Sequence, residues 1–119
     1  MKKVLIVDDS IAVSRQLEKI VNSSEEFEVV AQGRNGAEAI KLCQLHKPDI
    51  LCMDMNMPVM DGLSALRTLK LVMPAITVIM VTSLGGVGDK YTEAIRLGAK
   101  DVISKPFEKN TVLEMLRRV

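Results

Sequence analysis

What most constrains this chain is a set of short, continuous apolar runs: Val4-Leu5-Ile6-Val7, Ile50-Leu51-Cys52-Met53, Val78-Ile79-Met80-Val81 and the shorter Val102-Ile103. A run without polar alternation suits a strand covered on both faces, as in a parallel sheet with helices on either side. Phe27-Glu28-Val29-Val30-Ala31-Gln32 is more mixed and suits an edge strand. Between the runs the period changes to that of a helix. Val13, Leu17, Ile20 and Val21 make one face after Ser10, and Leu63, Leu66 and Leu69 make another after Asp61-Gly62. Asn35 with Glu38 three residues later resembles a capping box opening a helix that ends near Lys47-Pro48. A fourth helix is predicted from Asp89 to Leu97, stopped by Gly98, and a fifth carries Val112, Met115, Leu116 and Val119. Five strands, each followed by a helix with a right-handed crossover, predict a doubly wound (βα)5 three-layer α/β fold.

A length of 119 residues allows one domain, taken as residues 1–119. Apolar residues at 48 % and charged residues at 26 % are those of a globular chain. The net charge of +1 leaves no excess for a nucleic-acid backbone or an anionic membrane, and three aromatics without Trp offer no stacking platform for bases. Cys43, Cys52 and His46 are too few and wrongly spaced for structural zinc, and both thiols are expected to be reduced and buried. No apolar stretch approaches a membrane span, and Asp8-Asp9 interrupts the N-terminal run before a signal peptide develops, so a cytoplasmic chain with no membrane contact is expected.

Doubly wound sheets bind ligands beyond the carboxyl ends of their strands. There the sequence places Asp8 and Asp9 after the first run, Asp54 after the third, Thr82 after the fourth, and Lys105-Pro106 after the fifth. Three crowded carboxylates repel one another unless a hard, oxygen-seeking cation joins them, which points to Mg²⁺. Three Asp and one Lys leave two negative charges, which a divalent ion neutralises. Thr82 supplies a hydroxyl donor and Lys105 a mobile ammonium for phosphoryl oxygens. The set suits phosphoryl transfer to a carboxylate, with positioning and charge neutralisation as the main terms. Any one Asp after a strand equally suits a helix cap or a turn; five such positions together are hard to obtain from capping.

These residues resemble the response-regulator receiver domains of two-component signalling, especially the single-domain chemotaxis regulators of CheY type. The likeness spans essentially the whole chain. It rests on Val-Leu-Ile-Val-Asp8-Asp9-Ser10, on Met53-Asp54-Met55-Asn56-Met57-Pro58-Val59-Met60-Asp61-Gly62, on Val81-Thr82-Ser83, and on Gly98-Ala99-Lys100-Asp101 leading to Lys105-Pro106-Phe107. It implies a flavodoxin/CheY-like sheet of order 2-1-3-4-5 and a cis Lys105-Pro106 bond. It implies that Asp54 accepts the phosphoryl group, that Asp9, Asp54 and the Asn56 carbonyl ligate Mg²⁺, that Asp8 assists through water, and that Thr82 and Lys105 contact the phosphoryl group. The implied donor is a phosphohistidine on a sensor histidine kinase, with the receiver assisting its own phosphorylation and dephosphorylation. It is a switch before it is an enzyme. Movement of Thr82 would shift the following Ser83-Leu84-Gly85-Gly86-Val87-Gly88 segment. The implied readout face is helix four, strand five and helix five, around Tyr91, Ile95, Val102 and Lys109. A chemotaxis kinase and the flagellar switch are the partners such a likeness suggests, acting on a monomer.

The sequence departs from that pattern at Val102, where many receivers carry an aromatic ring that changes rotamer with the Thr. Signalling through loop and helix-four rearrangement is expected instead. Asn56 and Leu84 occupy positions that resemble those tuning hydrolysis in the family. Met53, Met55, Met57 and Met60 read as packing rather than a soft-metal site, and His46 as a ring meeting the terminal carbonyls of its helix rather than a relay histidine. Lys100, Lys105 and Lys109 are interleaved with Asp101 and Glu108, so no direct nucleic-acid contact is expected. A haloacid-dehalogenase-type phosphatase needs an Asp two residues after its nucleophile, and Asn56 or Ser10 stands there. An FMN carrier needs a first loop that cradles phosphate, which Asp8-Asp9 repel. A receiver reduced to an interaction module has no reason to keep all five positions. An output domain elsewhere, DNA-binding or methylesterase, remains an open alternative at this point.

Overall fold

The computed structural model describes residues 1–83 and 89–119. Its elements run β1 (Lys2–Val7), α1 (Ile11–Asn22), β2 (Phe27–Gly33), α2 (Gly36–His46), β3 (Ile50–Asp54), α3 (Gly62–Val72), β4 (Thr77–Thr82), α4 (Asp89–Leu97), β5 (Asp101–Ser104) and α5 (Lys109–Arg118). All strand pairings are parallel and the order is β2-β1-β3-β4-β5. The mixed segment is thus an edge strand, as its composition predicts.

Alternation along each strand divides the core into two layers. Val4 and Ile6 pack with Ile50, Cys52, Ile79 and Val81 against α1 and α5 through Leu17, Val21, Val112 and Leu116. Leu5 and Val7 face the other way, with Leu51, Met53, Val78 and Met80, against Cys43 of α2, Leu66 and Leu69 of α3, and Ala94 of α4. Every residue of β3 is buried, which is why its sequence shows no alternation. Burial of each large aliphatic side chain contributes about 1.5–3 kcal/mol. Met53, Met55, Met57 and Met60 all join the second layer, as packing residues.

Helix starts follow the sequence closely. Ser10 Oγ accepts from Val13 N at 3.3 Å, Asn35 Oδ1 from Glu38 N at 2.9 Å, and Asp61 Oδ1 from Ser64 N at 2.8 Å. Two expectations need correction. Asn35 opens the helix as expected, but Glu38 does not close a reciprocal box on it; its carboxylate accepts from the backbone N–H of Arg34 at 2.7 Å, one residue earlier. The His46 ring makes no hydrogen bond to the terminal carbonyls among the described residues; Lys3 Nζ, brought in by β1, donates to the His46 carbonyl at 3.3 Å. Gly98, with φ +113°, ends α4 as expected, and Lys105-Pro106 is cis. Among the described residues no helix is long and apolar enough to cross a membrane.

Candidate functional site

The parallel register carries the chemistry to one edge. Asp8 directly follows β1, Asp54 ends β3 opposite Val81, and Thr82 ends β4 opposite Ser104, with Lys105 one residue beyond β5. Because β1 lies between β2 and β3, and β4 between β3 and β5, these ends surround the central strand. The expected convergence is found: one carboxylate oxygen from each of Asp8, Asp9 and Asp54 lies within 4.8 Å of the others. Lys105 Nζ stands 3.1 Å from Asp8 Oδ2 and 3.6 Å from Asp54 Oδ2.

Asp8 and Asp54 are 3 % and 5 % exposed, while Asp9 is open to solvent. Burial raises the Asp54 carboxyl above the ordinary carboxylate range, and the neighbouring Asp8 and, more weakly, Asp9 raise it further. The Lys105 ammonium and the backbone N–H of Asn56 act in the opposite direction without cancelling the rise. Asp8 is fixed on both oxygens, since Oδ1 accepts from Ser10 N at 2.9 Å while Oδ2 meets Lys105. Thr82 is 2 % exposed; its hydroxyl donates to the Ser83 carbonyl at 3.4 Å, and its own carbonyl accepts from Lys105 N at 2.8 Å. That backbone bond ties the hydroxyl and the ammonium to one rigid pair of strands. The donor set is oxygen only, converging and negative, which fits a hard divalent cation and not a soft one.

Several contributors escape the sequence pattern. Arg34 Nη1 donates to the Asp8 carbonyl at 3.2 Å and to Ser14 Oγ at 3.0 Å, pinning the first acidic loop from the end of β2. Ser14, fully buried on the apolar face of α1, is the legible signal: a hydroxyl there calls for a partner. Gly62 starts α3 so close to the end of β3 that a Cβ would overlap the Asp54 carbonyl oxygen and stand 2.9 Å from Met55 Cα. Lys90, in the first turn of α4, donates to Asn56 Oδ1 at 3.4 Å. Val59 adopts φ +69° in the loop between β3 and α3 and is 86 % exposed. Leu84 and the rest of the glycine-rich stretch 84–88 lie outside the described residues.

The doubly wound sheet, with this acidic cluster, threonine and lysine at its strand ends, belongs to a family of signalling receivers rather than to a catalytic enzyme family. The response regulator receiver domain matches residues 4–117, and the chain belongs to that family. It is 45 % identical over 118 residues to the chemotaxis protein CheY of Listeria monocytogenes, covering 99 % of this chain and 98 % of that one. The response regulator domain of Thermotoga maritima CheB superposes with a TM-score of 0.92 at 34 % identity, covering 99 % of this chain and 95 % of that one. A chain of the CheX-CheY-BeF3-Mg²⁺ complex of Borrelia burgdorferi gives a TM-score of 0.92 at 32 % identity, over 98 % of this chain and 87 % of that one.

Proposed function

We propose that residues 1–119 form a phosphoacceptor switch of a two-component pathway in which Asp54 takes a phosphoryl group from a phosphohistidine of a sensor histidine kinase. The supporting observation is the placing of a buried Asp54 carboxylate within reach of two further carboxylates and of the Lys105 ammonium. In this reading Asp9, Asp54 and the Asn56 carbonyl hold Mg²⁺, with Asp8 acting through water. The bound ion supplies charge neutralisation at the phosphoryl oxygens.

The chain's own residues then have separate tasks. Asp54 provides the nucleophilic oxygen; its O–P bond forms as the donor's P–N bond breaks and the electron pair returns to the imidazole nitrogen. Lys105 leaves its carboxylate partners to pair with a phosphoryl oxygen, and Thr82 gives up its long bond to the Ser83 carbonyl to donate to another. The same groups assist hydrolysis of the acyl phosphate. The chain acts as a monomeric, cytoplasmic regulator in this account, without nucleic-acid or membrane contact, and passes its state on through α4, β5 and α5. Tyr91 and Ile95, 42 % and 38 % exposed on α4, suit such a readout face.

Likeness over nearly the full length of the Listeria CheY favours a stand-alone chemotaxis regulator, with a chemotaxis kinase upstream and the flagellar switch downstream. Likeness to the CheB domain favours, as a second reading, a receiver that governs a methylesterase. The test of the common core is phosphoryl uptake from phosphoramidate, a small P–N donor. Uptake is expected to require Mg²⁺ and to slow by about tenfold or more in Lys105→Met and Thr82→Ala. Equal rates in all three proteins, or uptake indifferent to Mg²⁺, contradict the assignment.

A further inference from the structure

We propose that Lys90 couples the chemical state of Asp54 to α4, acting as a positioning residue that the accumulating negative charge of the modified site draws inward. The inference rests on the Asp54 reading above. Three observations carry it.

Asn56 links the two sides. It stands two residues after Asp54, its backbone N–H acts to lower the Asp54 carboxyl, and its side-chain oxygen accepts from Lys90 Nζ at 3.4 Å. A long, solvent-exposed bond to a neutral amide is a weak hold on an ammonium, easily exchanged for an anion. Next, Lys90 is the second residue of α4, so its charge sits against the positive end of the helix dipole. A cation there is unfavourable to the dipole unless negative charge faces it, and the residue it donates to, Asn56, stands two positions after Asp54. The charge balance then supplies the drive. Asp8 and Asp9 carry two negative charges and a phosphorylated Asp54 about two more, against two from a divalent cation and one from Lys105. The modified site is left one positive charge short; Arg34 is already held by the Asp8 carbonyl and Ser14 Oγ, whereas Lys90 is held only by the long bond to Asn56.

Drawing the Lys90 ammonium from Asn56 to a phosphoryl oxygen pulls the first turn of α4, which carries Tyr91 one residue on. This provides a readout that does not need an aromatic ring at position 102, where β5 carries Val102. It also explains how one helix, packed against α3 and β5, can register a change made at the end of β3.

The experiment compares the unsubstituted chain with Lys90→Met and Lys90→Arg, each with Mg²⁺ alone and with Mg²⁺ plus beryllofluoride as the phosphoryl mimic. The readouts are intact mass after acetyl phosphate treatment and amide chemical shifts along α4. Lys90 is exposed, so both variants are expected to fold and to form the adduct. In Lys90→Met the beryllofluoride-induced shifts of residues 90–97 are expected to fall about fivefold or more, and Lys90→Arg is expected to restore most of them. Unchanged α4 shifts in Lys90→Met with the adduct intact overturn the coupling role and leave the Asp54 reading standing. Failure of Lys90→Arg to restore the response while Lys90→Met loses it overturns the charge argument. Absence of any Mg²⁺-dependent adduct in the unsubstituted chain overturns the Asp54 reading, and this inference with it.

Discussion

Replacing Asp54 by Asn should make the metal-free protein more stable, although it removes the residue on which function depends. With one oxygen of each carboxylate within 4.8 Å of the others and an effective dielectric of about 20, each pair repels by about 3.5 kcal/mol or more. The Lys105 ammonium at 3.6 Å returns about 4.6 kcal/mol by the same relation. Two acidic neighbours against one cation leave Asp54 about 2.4 kcal/mol unfavourable before desolvation, and solvent at Asp9 and Lys105 screens part of that. A gain of about 1–2 kcal/mol in Asp54→Asn is therefore expected, or about 4–10 °C for a chain of this size. The sign of the pH dependence follows from the raised carboxyl. Asp54 titrates above its ordinary value of 3.8 in the fold, so the native state holds its proton longer than the unfolded chain does. The penalty is absent below that ordinary value, grows as pH rises through the raised one, and is complete above it. Denaturant unfolding in EDTA at pH 7 and near pH 4 measures it, and the gap between the two proteins should shrink at the lower pH. Saturating Mg²⁺ should reverse the order at pH 7, since ligand at about a hundred times its dissociation constant adds about 2.7 kcal/mol to the protein that binds it. A variant no more stable than the parent in EDTA, or a gap that does not close on acidification, would refute the electrostatic account.

Gly62→Ala should cost about 3 kcal/mol or more, because the Asp54 carbonyl it would strike belongs to a paired strand end that cannot turn aside, whereas Gly33→Ala should cost less than about 1 kcal/mol. The nearest atom at position 33 is Leu42 Cδ1 at 3.1 Å, the end of a flexible side chain. Equal losses in the two unfolding curves would contradict this contrast. Val59→Gly should raise stability by about 1 kcal/mol by relieving a left-handed β-branched residue, and a lowered midpoint would count against strain there. Burial pushes the Cys43 and Cys52 thiols up to about 12 from an ordinary 9.0. Stability from them is intact below pH 9 and falls as pH rises from there towards 12; rapid alkylation of native protein at pH 8 would show the thiols are not held as described.

The sequence is most legible where one physical cause dominates. β1, β3 and β4 are buried on both faces, so their apolar runs have no competing reading, and the residues after them fall at one edge of the sheet by topology alone. Asp8, Asp9, Asp54 and Lys105 are found together for that reason. Contacts made by long side chains across loops were not legible, because tertiary register decides them. Arg34 reaches the Asp8 carbonyl only because Val7 pairs with Gly33, and that register includes a shift between Val4 and Leu5 that no local pattern announces. The reciprocal Glu38 contact and the His46 ring contact are not found for a related reason: the Arg34 N–H takes the Glu38 carboxylate, and a lysine from β1 meets the His46 carbonyl. The link from Lys90 to Asn56 joins residues far apart in sequence, and although Asn56 stands out in its motif, nothing in its segment points to Lys90 as its partner.

The most direct test of the account is the intact mass of the protein after incubation with acetyl phosphate, with and without Mg²⁺, beside Asp54→Asn. A single phosphoryl adduct that requires Mg²⁺ and is absent from the variant is the result expected. An adduct of equal yield in Asp54→Asn, or none in folded parent protein at saturating Mg²⁺, would contradict the claim that Asp54 is the phosphoacceptor.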